Sequence, residues 1–273
     1  MRSPAVAGAF YPSSASALRS QVSGFLSEAE KQVESKERLA IVCPHAGYVY
    51  SGATAAYSFA SCANCKREGI TAIVVGPNHT GMGQPISVSF EGWKTPLGEL
   101  ECDTELAQEI VKSGKIARRD ELAHLGEHSC EVQLPFLQML CKKPRIVCIC
   151  MGWQDETAAE DLGRAIYNAV KKTGRDAIFI ASSDFTHYES AGAAKEKDMK
   201  AVSLLGKMDW KGFEGEVEAH DLSICGHGPI AAALCYSQLS GAKKCELLHY
   251  TNSGEETGDD AKVVAYASLA ISK

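Results

Sequence analysis

The sequence predicts an α/β fold: a single-domain αβα sandwich with a mixed, mainly buried central sheet over residues 1–273. Apolar, β-branched runs of strand length carry little polar alternation, which is typical of strands buried on both faces. Stretches with helical periodicity lie between those runs, as expected of a sheet covered by helices. No internal repeat, low-complexity stretch or Pro/Ser-rich linker divides the chain.

Five continuous apolar runs predict the central strands. They are residues 39–43, 71–75, 145–151, 176–181 and 263–270. Two hairpin-like pieces make the predicted sheet mixed. Residues 85–90 are expected to turn at residues 91–92 and return through residues 94–100. Residues 245–251 are expected to lie beside the last strand.

Apolar side chains three and four residues apart predict the helices. The first helix, over residues 16–35, has its apolar positions at Leu18, Val22, Phe25, Leu26, Ala29 and Val33. The same period recurs in residues 51–61, 104–113, 132–141, 157–172 and 191–205. Residues 226–238 form the last predicted helix.

Composition excludes several classes of protein. With 273 residues, of which 45% are apolar and 23% charged, the chain can bury a full core and is not intrinsically disordered. Lys+Arg 28 against Asp+Glu 34 gives a net charge of −6, and no basic run occurs, so nucleic acid is not an expected partner. No apolar run approaches the ~18–20 residues of a membrane span.

Cysteine usage predicts a cytoplasmic protein. The eleven cysteines are odd in number and scattered, and Cys43, Cys148 and Cys150 fall inside predicted strands, which favours reduced, buried thiols over a disulfide framework. The first ten residues lack the apolar run of a signal peptide. Cys62 and Cys65 form a CxxC motif without a second pair at zinc-site spacing, which favours a structural over a redox role.

Histidines follow three of the predicted strands. His45 comes after the first strand and Pro44, and His79 comes after the second strand and Pro77. Asp184 and His187 follow the strand at residues 176–181. Ligands of open α/β sheets bind beyond the carboxyl ends of the strands, so these residues predict a shared polar site. The alternative for each histidine alone is an ordinary hydrogen-bonding role.

Cys225 precedes the predicted helix at residues 226–238. A helix N-terminus favours a thiolate, and thiolate together with imidazole suits iron, zinc or copper. The alternative is that Cys225 is one more buried thiol.

Residues 127–136 concentrate charge just before an apolar helix. His128 and Glu131 are candidates to orient a metal ligand or pass a proton. Helix capping, with Ser129 as the N-cap residue, explains the same residues equally well.

Six motifs occur in the order AGAFYP (7–12), PHAGY (44–48), GPNH (76–79), EHS (127–129), SSDFTH (182–187) and CGHGP (225–229). Together they resemble the Memo family, and the resemblance covers nearly the whole chain. It is closest to the archaeal and bacterial branch, which implies an AMMECR-type protein and a radical-SAM protein as partners.

The resemblance implies a fold similar to the catalytic subunit of class III extradiol dioxygenases, which bind non-heme Fe(II) through two His and one carboxylate. In the Memo family a Cys replaces the carboxylate. This makes His45, His79 and Cys225 the implied metal ligands, with Asp184 and His187 lining the site and His187 as the acid/base residue. The softer thiolate would also suit Cu or Zn.

Three functions follow from these residues and the resemblance. The first is O2-dependent redox chemistry at a non-heme iron site on a small-molecule substrate. The second is a non-catalytic module that binds a metal or a phosphopeptide, as eukaryotic relatives bind phosphotyrosine segments. The third is a zinc hydrolase with His187 or Glu131 as base.

Overall fold

Eleven strands form one sheet in the computed structural model, which describes residues 1–273. They are β1 (Ala40–Cys43), β2 (Thr71–Pro77), β3 (Ile86–Val88), β4 (Trp93–Thr95), β5 (Gly98–Cys102), β6 (Arg118–Arg119), β7 (Arg145–Met151), β8 (Ala177–Ser182), β9 (His187–Glu189), β10 (Lys244–Asn252) and β11 (Val263–Ser272). The main order across the sheet is β10-β11-β1-β8-β2-β7-β3-β6.

Nine α-helices accompany the sheet. They are α1 (Ala15–Ala29), α2 (Tyr48–Ala60), α3 (Thr104–Ser113), α4 (Leu134–Leu140), α5 (Glu156–Thr173), α6 (Ala191–Gly206), α7 (Trp210–His220), α8 (His227–Leu239) and α9 (Gly254–Thr257). None is both long and apolar enough to cross a membrane.

The centre of the sheet is parallel and its flanks are antiparallel. β1, β8, β2 and β7 run parallel to one another, whereas β11 is antiparallel to both β1 and β10. β3 is antiparallel to β7. The observed mixed sheet between helices confirms the predicted fold class.

Two hydrophobic cores lie on opposite faces of the sheet, because successive strand side chains point to opposite sides. On β1, Val42 joins the core that contains the buried residues of α3, α5 and α8. Its neighbours Ile41 and Cys43 join the core that contains those of α1, α2 and α4. This explains why the central strands are apolar without alternation.

The predicted hairpin over residues 85–100 is wrong. Strand β3 pairs with β7, and the hairpin consists of β4 and β5, with Trp93 opposite Leu100. Gly92 suggests a turn in the sequence, but a Cβ there would lie 2.6 Å from the carbonyl oxygen of Leu100. The glycine therefore permits a close backbone approach, and the turn falls at Pro96-Leu97, before Gly98 with its φ of +130°.

Helix α7 was not predicted from the sequence. Gly212 and Gly215 lie within it and weaken the helical signal, since glycine is a poor helix former. The side chain of Asp209 caps its start by accepting a hydrogen bond from the Gly212 N–H at 2.9 Å. Its end is Asp221, with a left-handed φ of 48°.

All eleven cysteines are free thiols, and nine of them are buried. Cys62 and Cys65 belong to the core that contains the buried residues of α1, α2 and α4, with their sulfur atoms 3.0 Å apart. This location agrees with a structural role for the CxxC motif.

Close packing of α5 on α8 gives the first testable prediction. A Cβ at Gly163 would lie 2.8 Å from the carbonyl oxygen of Ala232, which is helical backbone that cannot easily move. We expect Gly163→Ala to lower the free energy of unfolding by about 1–3 kcal/mol in urea denaturation. Gly24→Ala is the control, because no atom lies within 4 Å of its Cβ. It should stabilise α1 by up to about 1 kcal/mol, and equal stability of both variants would contradict a tight contact between the two helices at Gly163.

Candidate metal centre

Parallel strands bring three loops to one edge of the sheet. β1, β8 and β2 are neighbours, so the segments that follow them meet beyond their carboxyl ends. These segments carry His45, Asp184 and His79, respectively. A fourth segment, which precedes α4, adds His128.

His45, His79 and His128 form a cluster in which one ring nitrogen of each lies within 4.8 Å of the others. The His79 and His128 rings are stacked, with centroids 4.7 Å apart. The His45 ring is nearly perpendicular to both, at 5.2 Å from His79 and 5.4 Å from His128. We refer to these residues as the three-histidine cluster. No other group of three His, Cys, Asp or Glu side chains has ligand atoms this close.

The tautomer of His45 is fixed by Ser182. The Ser182 hydroxyl donates its only proton to the carbonyl oxygen of Ser129 at 2.6 Å and accepts a hydrogen bond from Nε2 of Gln133 at 2.9 Å. Nδ1 of His45, 2.9 Å from the same oxygen, must therefore be the donor. This leaves Nε2 of His45 unprotonated, so that it acts as an acceptor or a ligand.

A buried carboxylate fixes the tautomer of His79. Oε1 of Glu127 accepts a hydrogen bond from Nδ1 of His79 at 3.0 Å, and Oε2 accepts one from the His79 backbone N–H at 2.6 Å. Oε1 also accepts the backbone N–H groups of His128 and Ser129 at 2.9 and 2.8 Å. Nε2 of His79 is consequently free, as in a histidine whose other nitrogen is held for metal binding.

Burial and mutual repulsion keep two of the three rings neutral. Burial lowers the pKa of His45 well below its usual value, and nearby His128 and His79 lower it further. Burial also lowers the pKa of His128, against the opposing charge of Glu127. Burial acts to lower the pKa of His79, but the hydrogen bond and charge of Glu127 outweigh it and the net shift is upward.

Cys225 lies beside the three-histidine cluster. Its sulfur is 3.2 Å from Nε2 of His45 and accepts the backbone N–H of Asp184 at 3.3 Å. The position before α8 does not by itself lower the pKa of the Cys225 thiol, contrary to the prediction from the sequence. Burial raises the pKa of the Cys225 thiol, and the charge of Asp184 raises it further. Metal ligation is the interaction that would deprotonate this thiol.

Asp184 and His187 border the same site. Oδ1 of Asp184 accepts the backbone N–H of His45 at 2.7 Å. Burial raises the pKa of Asp184 to about 6, against the lowering effect of that hydrogen bond and of His187. His187 is half-buried, and its Nδ1 donates to the carbonyl oxygen of Ser223 at 2.8 Å, which leaves Nε2 free.

Glu131 is fully occupied in holding the N-terminal segment. Its two oxygens accept hydrogen bonds from Nη1 of Arg2 at 2.6 Å and the hydroxyl of Tyr11 at 2.6 Å. They also accept the backbone N–H groups of Ala5 and Val6. The structure thus gives Glu131 an anchoring contact, while His128, three residues earlier, reaches the cluster.

The donor set fits a transition-metal ion. Imidazole nitrogens suit zinc, copper and iron. In His45 and His79, Nδ1 is held by a hydrogen bond to Ser182 or Glu127, and Nε2 is the nitrogen left to bind the ion.

Comparison with known proteins identifies the family. A family model described as "Memo-like protein" matches residues 2–270. The chain belongs to the Memo family. It is similar to a MEMO1 family protein of Methanosarcina acetivorans, 44% identical over 272 residues and 99% of each chain. A MEMO1 family protein of Methanothermobacter thermautotrophicus is 42% identical over 278 residues, covering 99% of this chain and all of the relative.

Among solved structures, an uncharacterized protein from Escherichia coli K12 matches with a TM-score of 0.45 and 16% identity. The match covers 72% of this chain and 85% of that chain. At that level the similarity does not identify a common fold.

The Memo-family ligand set expected from the motifs is His45, His79 and Cys225. The structure brings the first two together, adds His128 as the third member of the cluster, and places Cys225 against His45. Glu127 and Ser182, the partners of the histidines, were not predicted from the sequence. The only indication in the sequence that Glu127 belongs to the site is its position within the EHS motif.

The Arg2–Glu131 pair gives a stability prediction. Both side chains are buried, at 6% and 0% exposed, and the Arg2 guanidinium also lies 4.0 Å from the centre of the Trp93 ring. Because Arg2→Met leaves the buried carboxylate without its charge partner, we expect a loss of about 3–5 kcal/mol in urea denaturation.

The matched control is Lys31→Met, which breaks an exposed ion pair with Glu28 and should change stability by less than about 0.5 kcal/mol. The double variant Arg2→Met/Glu131→Gln should recover part of the loss. A single Arg2→Met variant as stable as the control would rule out the anchoring role.

Proposed function

We propose that this Memo-family protein binds a transition-metal ion, with Fe(II) as the first candidate, and uses it for O2-dependent oxidation of a small molecule. The observation that carries this proposal is the three-histidine cluster, in which ring nitrogens of His45, His79 and His128 lie within 4.8 Å of one another. When bound, such an ion supplies open coordination positions for O2 and a chelating substrate.

The surrounding residues hold the donors and supply proton carriers. Ser182 and Glu127 orient His45 and His79 through Nδ1. Asp184, with a pKa raised by burial to about 6, changes protonation within reach of neutral pH. His187, with Nε2 free, is the second proton carrier at the rim of the site.

A zinc hydrolase is the second candidate, and the donor set itself favours it. Three imidazoles with an open fourth position form the ligand set of one class of catalytic zinc site. His187 is then the base, because all the acceptor contacts of Glu131 go to Arg2, Tyr11 and the N-terminal backbone.

Metal content of anaerobically purified protein tests the site. We expect near-stoichiometric iron in the wild type and its loss in His79→Ala and His128→Ala, because each variant removes a member of the cluster. His220→Ala is the control, since His220 is exposed at the end of α7 and should leave the metal content unchanged. Cys225→Ala reports separately whether the thiol is a ligand.

Different outcomes select different functions. Stoichiometric zinc with hydrolysis of an amide or ester library would replace the oxidative function with the hydrolytic one. No metal, or metal retained in both cluster variants, would contradict the metal centre and favour the phosphopeptide-binding module.

The hydrogen bond from His45 to Ser182 gives a quantitative prediction. Ser182→Ala removes the acceptor that fixes the His45 tautomer, and we expect about 10- to 100-fold weaker metal binding in a chelator competition assay. Ser237→Ala is the matched control, because this buried hydroxyl has no hydrogen-bond partner. Equal metal affinity in the two variants would contradict a role for Ser182 in metal binding.

A further inference from the structure

A second cleft opens beyond the carboxyl end of β7, between the start of α5, the end of α7 and the start of α8. Its volume is about 620 Å³. Five carboxylates and one histidine line it: Asp155, Glu156, Glu214, Glu218, Asp221 and His227. No lysine or arginine is among the lining residues. We call this the acidic cleft.

Most of the negative charge in the acidic cleft is uncompensated. Lys211, which is not among the lining residues, neutralises Glu156 at 2.5 Å. Glu218 and Asp221 are exposed and have no cationic partner in the chain. Glu214 contacts only His227 among the basic side chains.

Glu214 carries the strongest indication of a missing partner. Its side chain is only 7% exposed, and Oε2 accepts a hydrogen bond from Nδ1 of His227 at 2.9 Å. The other oxygen, Oε1, is buried with no hydrogen-bond partner in the chain. A buried carboxylate oxygen without a donor is costly, so a ligand toward which this carboxylate turned to accept a hydrogen bond would relieve a defect already present in the fold.

The helix N-termini at the acidic cleft do not offer an anion site. The Ala158 N–H at the start of α5 donates to Asp155, and the Gly228 N–H at the start of α8 donates to Gln154. With these donors occupied, the charge of the carboxylates dominates the cleft, which favours a cation.

We propose that the acidic cleft binds a linear organic polycation of the polyamine class, with one ammonium group paired with the carboxylate of Glu214. A single metal ion fits less well, because no three ligand atoms in this cleft lie within 4.8 Å of one another. Carboxylates spread along a cleft of 620 Å³ instead match several ammonium groups spaced along one chain. The proposal does not depend on the function assigned to the three-histidine cluster.

Calorimetric titration of the full-length protein with spermidine at low ionic strength tests the proposal. We expect binding that weakens with added salt, and about tenfold or greater loss of affinity in Glu214→Gln, because the substitution removes the negative charge that pairs with the ammonium group. Glu216→Gln is the charge-matched control: it lies on the same helix but does not line the cleft, and its affinity should change less than about twofold.

A second variant guards against misfolding of Glu214→Gln. The Cβ of residue 215 would meet no atom within 4 Å, so Gly215→Lys places an ammonium group at the cleft without a clash at Cβ. It should abolish spermidine binding, whereas Gly215→Ala should retain it. Thermal melts of all four variants check that each is folded.

Spermidine binding that is lost in Gly215→Lys and retained in Gly215→Ala would support the proposal. No binding to the wild type, or equal affinity in wild type and Gly215→Lys, would overturn it. Binding of Mg²⁺ or of a lysine-rich peptide, with the same variant sensitivity but without spermidine binding, would also overturn it in favour of an ion or protein site.

Discussion

The buried carboxylate of Glu127 is the contact on which the three-histidine cluster depends. It accepts hydrogen bonds from the backbone of His79, His128 and Ser129 and from the His79 ring, so one side chain joins two loops that are distant in sequence. Burial would raise the pKa of Glu127, but the hydrogen bond and charge of His79 and the Ser129 N–H lower it strongly overall. The ionised group therefore stabilises the fold above its unfolded-state pKa of about 4.3, and that stabilisation is lost as pH falls.

A second buried network holds the same segment. The guanidinium of Arg2 donates to Glu131 and to the carbonyl oxygens of His124 and Glu127. Residues 127–131 thus have one carboxylate directed at the histidines and the other at the N-terminal segment. The position of His128 is set by both contacts, although neither involves its own ring as a hydrogen-bond donor.

The sequence was most informative where local chemistry decides structure. Continuous apolar runs predicted the central strands. Pro44 directly follows β1 and Pro77 ends β2, and His45 and His79 lie just beyond them at one edge of the sheet. Long-range contacts were not predictable in the same way. The place of His128 in the cluster depends on Glu127 and on β2, and residues 131–133 form a short 3-10 turn without amphipathic periodicity. The pKa of the Cys225 thiol is raised by burial and by the charge of Asp184, and the position of Cys225 before a helix reveals neither cause.

The two fixed imidazoles differ in what holds their Nδ1 protons. His45 donates to a neutral hydroxyl, whereas His79 donates to an ionised carboxylate. A carboxylate acceptor pushes more electron density through the ring to the opposite nitrogen and makes it the more basic ligand. The two Nε2 lone pairs are therefore unequal in electron-donating strength. This asymmetry comes from the supporting side chains, and the identity of the two ligands as histidines does not reveal it.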